Sequence, residues 1–192
     1  MIMCGRYSLL MDETSLKLQK LIRQAQVSGG EAIKTGEIFP TNLAPVLKAK
    51  DGELVGEACV WGFPNFARKG VIINARSETA AQKPLFRKSL LERRCAVPTT
   101  GFYEWSQDEA HQKYLFRVPQ SPVLYLAGIY NCFEGEERYV ILTTQANSSM
   151  AAIHHRMPVI LDPDNLSGWL EDPGFALEIL ARPMPQLVKT AV

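Results

Sequence analysis

The dipeptide Asp51-Gly52 separates two apolar-rich runs, residues 44–49 and 53–61, and it constrains the fold more than any other feature of the chain. An Asp-Gly pair accepts the positive φ angles of a two-residue hairpin turn, whose twist matches that of the flanking strands. A chain that opens with such a hairpin is committed to antiparallel sheet. The second half continues in kind. Residues 95–98, 102–105, 114–118, 123–130, 138–143 and 158–161 read as short strands. Residues 5–10 give a first strand and residues 71–74 a buried one.

Helices are fewer. Asp12 is positioned to cap one that runs to Gln26, with Leu16, Ile22 and Ala25 on its buried face and Gly29-Gly30 ending it. Ser77 can cap a short helix, Pro84 can open another through Leu91, and two more follow Pro163 and Pro173. Many short strands with a few helices predict an α+β fold. The expected architecture is a single β-rich domain over residues 1–192, a curved, barrel-like, mostly antiparallel sheet with short flanking helices.

Composition excludes several classes. At 192 residues, 46% apolar and 21% charged, the chain fits one soluble domain with a substantial core. No apolar run is long enough to span a bilayer, and residues 7–11 are too short for a signal-peptide core. A cytoplasmic monomer is the expectation. Cys4, Cys59, Cys95 and Cys132 lie far apart without a CxxC pair, which argues against a zinc knuckle and a disulfide framework. A net charge of +1 rules out a chain basic throughout, so any nucleic-acid contact must come from a local cluster of Arg and Lys. Nucleotide and flavin motifs are absent, and the adjacent His154 and His155 do not converge as metal ligands. No metal or cofactor is expected.

Four places could carry chemistry. Cys4 is either a small buried side chain or a nucleophile. At a free amino terminus a cysteine offers a thiol and an α-amine on adjacent carbons. An aldehyde condenses with the amine, and the thiol closes a five-membered thiazolidine. Asn74 ends the apolar run Val71-Ile72-Ile73 and is a turn residue or a hydrogen-bond donor to a reacting group, with Arg76 beside a phosphate. Glu104 stands inside the aromatic strand Gly101-Phe102-Tyr103-Glu104-Trp105; alternation leaves it facing either solvent or an interior where burial suits it to proton transfer. His154 and His155 are neighbours, and on an extended chain only one of them would face a site.

The ordered series Cys4-Gly5-Arg6-Tyr7, Asn74-Ala75-Arg76-Ser77-Glu78-Thr79, Lys83-Pro84-Leu85-Phe86-Arg87, Arg93-Arg94-Cys95-Ala96-Val97-Pro98, Gly101-Phe102-Tyr103-Glu104-Trp105, Ala127-Gly128-Ile129-Tyr130, Leu142-Thr143-Thr144 and Ile153-His154-His155-Arg156-Met157-Pro158 resembles the SRAP family, the SOS response-associated peptidases. The resemblance implies a single β-rich domain that binds single-stranded DNA or single-to-double-strand junctions. It further implies a thiazolidine crosslink to the ring-opened sugar of an abasic site. On that likeness Cys4 is the nucleophile, Asn74 stabilises the crosslink, Glu104 is the acid/base near the sugar and His154 assists proton transfer. Pro40, Trp61, Phe86 and Trp105 are candidates to stack on or wedge between bases. Arg6, Arg76 and Arg156 are candidates for phosphates, with Ser77 beside them.

The chain departs from the family pattern in two places. Cys4 follows Met1-Ile2-Met3 rather than an initiator Met alone, so a free Cys4 amine requires either a start at Met3 or self-cleavage before Cys4. The Trp61-Gly62-Phe63-Pro64 segment is compact, and Phe66 holds a place often taken by Trp. The alternative function is a cysteine peptidase or amidohydrolase using Cys4 and His154 as nucleophile and base.

Overall fold

A computed structural model of the chain describes residues 5–29 and 33–192. In chain order the elements are β1 (Tyr7–Leu9), α1 (Leu16–Gly29), β2 (Gly36–Ile38), β3 (Leu43–Lys50), β4 (Glu53–Trp61), β5 (Phe63–Pro64), β6 (Val71–Ile72), β7 (Asn74–Arg76), α2 (Ser77–Ala80), α3 (Pro84–Glu92), β8 (Arg94–Thr99), β9 (Gly101–Trp105), β10 (Lys113–Arg117), β11 (Leu124–Phe133), β12 (Glu136–Gln145), β13 (Arg156–Pro158), β14 (Ile160–Leu161), α4 (Leu166–Glu171), α5 (Pro173–Leu180) and β15 (Val188–Ala191).

The Asp51-Gly52 hairpin forms, with φ of 52° and 78° at its two turn residues. It joins β3 to β4 in continuous antiparallel register from Leu43–Val60 to Lys50–Glu53. β3 also pairs β8, β8 pairs β11, β11 pairs β12, and β12 returns to β4, so five strands close into a barrel. Closure leaves these strands without free edges. The architecture is the expected α+β domain, mostly antiparallel. Two parallel pairings, β12 with β4 and β12 with β7, lie outside the sequence expectation. A second sheet, ordered β15-β10-β9-β1-β2, grows from the barrel where β8 passes through Thr100 into β9. Thr99 Oγ1 donates to the Ser8 carbonyl at 2.6 Å and ties that crossing to β1.

Local expectations are adjusted in several places. Ser15, not Asp12, caps α1: its hydroxyl accepts from the Leu18 N–H at 3.3 Å, and Asp12 belongs to a preceding single turn of 3-10 helix. Leu16 is 84% exposed, whereas Leu18, Ile22 and Ala25 are buried, because the helix face is set by the later register. Ser77 is the first residue of α2 rather than its cap; that position belongs to Arg76, which makes no side-chain cap bond. The buried strand expected at residues 71–74 divides at Ile73 into β6 and β7, which pair with different partners.

Candidate active site

The site is assembled on the C-terminal half of β12. On one edge, β7 runs parallel and sets Asn74 opposite Ile141 and Arg76 opposite Thr143. On the other edge, β13 runs antiparallel and sets Arg156 opposite Gln145 and Pro158 opposite Thr143. Two segments remote in sequence thus flank one strand. Between them opens a cleft of about 350 Å³ whose lining includes Asn65, Asn74, Arg76, His154 and His155.

His154 is 3% exposed. Its Nδ1 accepts the Arg156 backbone N–H at 3.0 Å. In the neutral ring the hydrogen therefore sits on Nε2. That Nε2 is buried and has no partner among the described residues. Burial, and next the neighbouring His155, hold the imidazole below its ordinary pKa, so the neutral form persists. His155 is exposed, and its ring stacks on that of His154 with centroids 4.5 Å apart and planes at 22°. Both line the cleft, contrary to the expectation of opposite directions. The chain is turned rather than extended here: the N–H groups of Ile153 and His154 both donate to the Met150 carbonyl.

Asn74 repeats the pattern. Its Nδ2 is buried and lacks a partner among the described residues. A buried donor without an acceptor costs about 1–3 kcal/mol. Both residues line one cleft, and neither atom meets an acceptor among the described residues.

Glu104 is 4% exposed and shares its strand face with the buried Phe102, while Tyr103 and Trp105 on the other face are half-buried. The inward alternative therefore holds. Glu104 lines a second depression of about 530 Å³ with Arg6, Pro40, Arg68, Lys69 and Trp105, and this depression shares Asn65, Val71 and Ile73 with the cleft. The two make one groove.

The cations of the groove differ in availability. The Arg6 guanidinium lies 4.2 Å from the Phe39 ring centroid and 5.0 Å from that of Trp105, with Nη1 3.4 Å from Glu37. Arg76, Arg68 and Lys69 are exposed and form no ion pair among the described residues. Arg156 is engaged: Nη1 and Nη2 grip the Glu78 carboxylate at 2.7 and 2.9 Å, and Nη2 also donates to the Thr143 carbonyl at 2.5 Å. Its charge is largely compensated, which the sequence does not disclose.

Two expected stacking residues are placed elsewhere. Trp61 is fully buried between Tyr7 and Tyr139, and Phe86 is 6% exposed against Phe63. Neither presents a ring to a base, because both fill the core. Phe39 and Phe66 are the exposed aromatics nearby, at 39% and 81%. Phe39 escaped the sequence reading, although Pro40 and the positive φ of Thr41 announce a projecting turn after it. Arg68 and Lys69 escaped it too, lying in a loop without periodicity. Ser77 is buried at 8%.

Cys4 lies outside the described residues; Gly5 lines the groove. Cys59 and Cys95 are buried, and desolvation pushes the Cys59 thiol up to about 12 and that of Cys95 well above its ordinary value, so neither is a ready nucleophile. Among the described residues no three His, Cys, Asp or Glu side chains gather as a metal set. No helix among them is long and apolar enough to cross a membrane.

A closed five-stranded barrel carrying a groove with a buried carboxylate, exposed cations, and donors without partners among the described residues defines a single-domain barrel protein with a polar groove. Over residues 3–191 the chain matches the family described as SOS response associated peptidase (SRAP), and it belongs to that family. It is 33% identical over 201 residues to the abasic site processing protein YoqW of Bacillus subtilis, covering 93% of this chain and 86% of that protein. It is 27% identical over 176 residues to the abasic site processing protein YedK of Escherichia coli, covering 88% and 79%. Solved structures of proteins from Bacteroides thetaiotaomicron and Bordetella bronchiseptica share the fold, with TM-scores of 0.74 and 0.77, sequence identities of 23% and 22%, and coverage of 98% of this chain and 92% and 99% of theirs.

Proposed function

We propose that this protein is a covalent sensor and shield of abasic sites in single-stranded DNA, acting through Cys4 once residues 1–3 are removed. The observation that carries this reading is a pair of buried donors without partners among the described residues, Asn74 Nδ2 and His154 Nε2, in a groove that also holds Glu104. Such donors suit the oxygen of a ring-opened sugar and the water lost when it reacts. Gly5 at the groove and relatives that are abasic site processing proteins add support.

The chemistry follows from the groups. A Cys4 α-amine, with an ordinary pKa of about 7.7–8.0, is partly neutral at physiological pH. Its nitrogen attacks the C1′ aldehyde, the carbinolamine loses one water, and an imine forms. The Cys4 sulfur then adds to the imine carbon while the nitrogen takes a proton. The thiazolidine results with net release of one water and no redox change. Glu104 moves protons as the sugar opens and the carbinolamine dehydrates. His154, neutral with hydrogen on Nε2, gives a hydrogen bond to the departing oxygen and steadies it while Glu104 carries the proton. Arg6, Arg68, Lys69 and Arg76 meet phosphates, and Phe39, Pro40 and Trp105 meet bases.

A cysteine peptidase would need His154 as a base toward the Cys4 sulfur. Nδ1 is occupied by the Arg156 N–H, which leaves Nε2 as a hydrogen-bond donor and favours that role over a base.

The test is a time course on an abasic single-stranded oligonucleotide resolved on a denaturing gel, with intact-mass measurement of the amino terminus. The expected result is a heat-stable adduct from protein that begins at Cys4, lost in Cys4→Ala, which instead nicks the strand through an untrapped imine. A stable adduct from Cys4→Ala without borohydride, or full activity in protein retaining Met1-Ile2-Met3, overturns the reading.

A further inference from the structure

We infer that Glu78 is a positioning residue for His154: by gripping the Arg156 guanidinium across β12 it holds the Arg156 backbone N–H on His154 Nδ1 and so keeps the cleft-facing Nε2 as the hydrogen-bearing nitrogen. The inference rests on the proposed role of His154 as a hydrogen-bond donor to the reacting oxygen.

Three contacts make the chain of action. Glu78 stands in α2, two residues after Arg76, on the segment that carries Asn74. Its carboxylate takes both terminal nitrogens of Arg156, at 2.7 and 2.9 Å. The same guanidinium donates to the Thr143 carbonyl and, at 3.2 Å, to Thr143 Oγ1 on the strand between. A two-pronged grip of this kind fixes the plane and the direction of the side chain, where a lysine would fix neither. At the other end of the residue, its backbone N–H meets His154 Nδ1 at 3.0 Å. That N–H is the single donor that sets which ring nitrogen holds the hydrogen. A third hydrogen bond into the Glu78 carboxylate, from Thr144 Oγ1 at 3.5 Å, braces it from β12.

The tie also has a charge consequence. It occupies the cation of Arg156, so Glu78 trades phosphate attraction for ring orientation. Cutting the tie should therefore separate two quantities that fall together in a merely damaged protein. Chemistry slows, and affinity for undamaged DNA does not weaken.

The experiment uses full-length protein with 15N-labelled histidine. Its first readout needs no DNA: long-range 1H–15N correlation spectra report which nitrogen of each of the three histidines is protonated. Wild type is expected to show His154 as one tautomer, hydrogen on Nε2. Glu78→Gln, and Glu78→Ala as an independent cut, should give a mixture. At saturating abasic oligonucleotide the adduct rate should fall about tenfold, less than the roughly 10²–10⁴-fold a whole acid–base group supplies because the ring itself is kept, with DNA affinity equal to wild type or tighter. If both variants keep the single tautomer, or match the wild-type rate at saturation, the inference is wrong and the ion pair is only a surface tie. If the tautomer mixes in the variants but wild type forms no adduct, the proposed function fails while the role of Glu78 in fixing the ring stands.

Discussion

The indole Nε1 of Trp61 donates to the carbonyl of Ile73 at 3.1 Å, one residue before Asn74. A ring expected to meet DNA instead holds the strand that presents the Asn74 amide. Trp61→Phe keeps most of the ring volume and deletes this bond. We expect a loss of about 1–2 kcal/mol in denaturant unfolding and, on the proposed function, a slower adduct rate with unchanged affinity for undamaged single-stranded DNA. Lost affinity with unchanged stability would instead return the ring to the DNA surface.

The His154 imidazole, held below its ordinary value mainly by burial, makes a signed prediction. The native state binds its proton less readily than the unfolded chain does. Its stabilising contribution is therefore fully present above the ordinary histidine pKa of about 6.5 and is lost as pH falls from there toward the native value. His154→Gln should flatten the dependence of unfolding free energy on pH in that window. His155→Ala removes the second cause and should move the His154 NMR titration midpoint upward. A downward movement would contradict the stacked arrangement.

Salt dependence separates the cations. Arg76, Arg68 and Lys69 are exposed and without ion pairs among the described residues, whereas Arg156 is gripped by Glu78. On the proposed function, each of Arg76→Ala, Arg68→Ala and Lys69→Ala should lower the slope of log affinity against log salt by about one. Arg156→Ala should lower it by less. Equal slopes for all four, measured by fluorescence anisotropy on a short oligonucleotide, would mean that the Glu78 tie opens whenever DNA binds.

Helix α1 sits so close to the barrel that a Cβ built on Gly56 would lie 1.9 Å from the Leu21 carbonyl oxygen. Backbone cannot yield as a side-chain tip can. Gly56→Ala should therefore cost about 1–3 kcal/mol by displacing the helix. The adduct rate should hold at temperatures where the variant is folded, because the groove's lining comes from other elements.

The strands, the hairpin and the late helices were legible because their signals are local: alternation, Asp-Gly, and Pro at helix starts. The parallel pairings of β12 were not, since pairing between distant segments leaves no mark on either one. Glu104 shows the same limit from the other side. The pattern offered two faces, and only the burial of Phe102 beside it decides between them. Asn74 and His154 stood out by residue type and neighbourhood. That the chain uses Trp61 inside and Phe39 outside depends on three-dimensional crowding, and an aromatic residue carries no label for which side it will take.

The two walls of the cleft hang on opposite edges of the same strand, β12. The separation of those two strands is thus set by sheet spacing, about 4.8 Å per neighbouring strand and twice that across β12. Residues 66–70 can change length or charge and alter what reaches the cleft while the spacing of its walls stays put. Divergence in this lineage is therefore free to accumulate in the approaches, so that descendants with one unchanged pair of cleft walls come to admit differently shaped molecules.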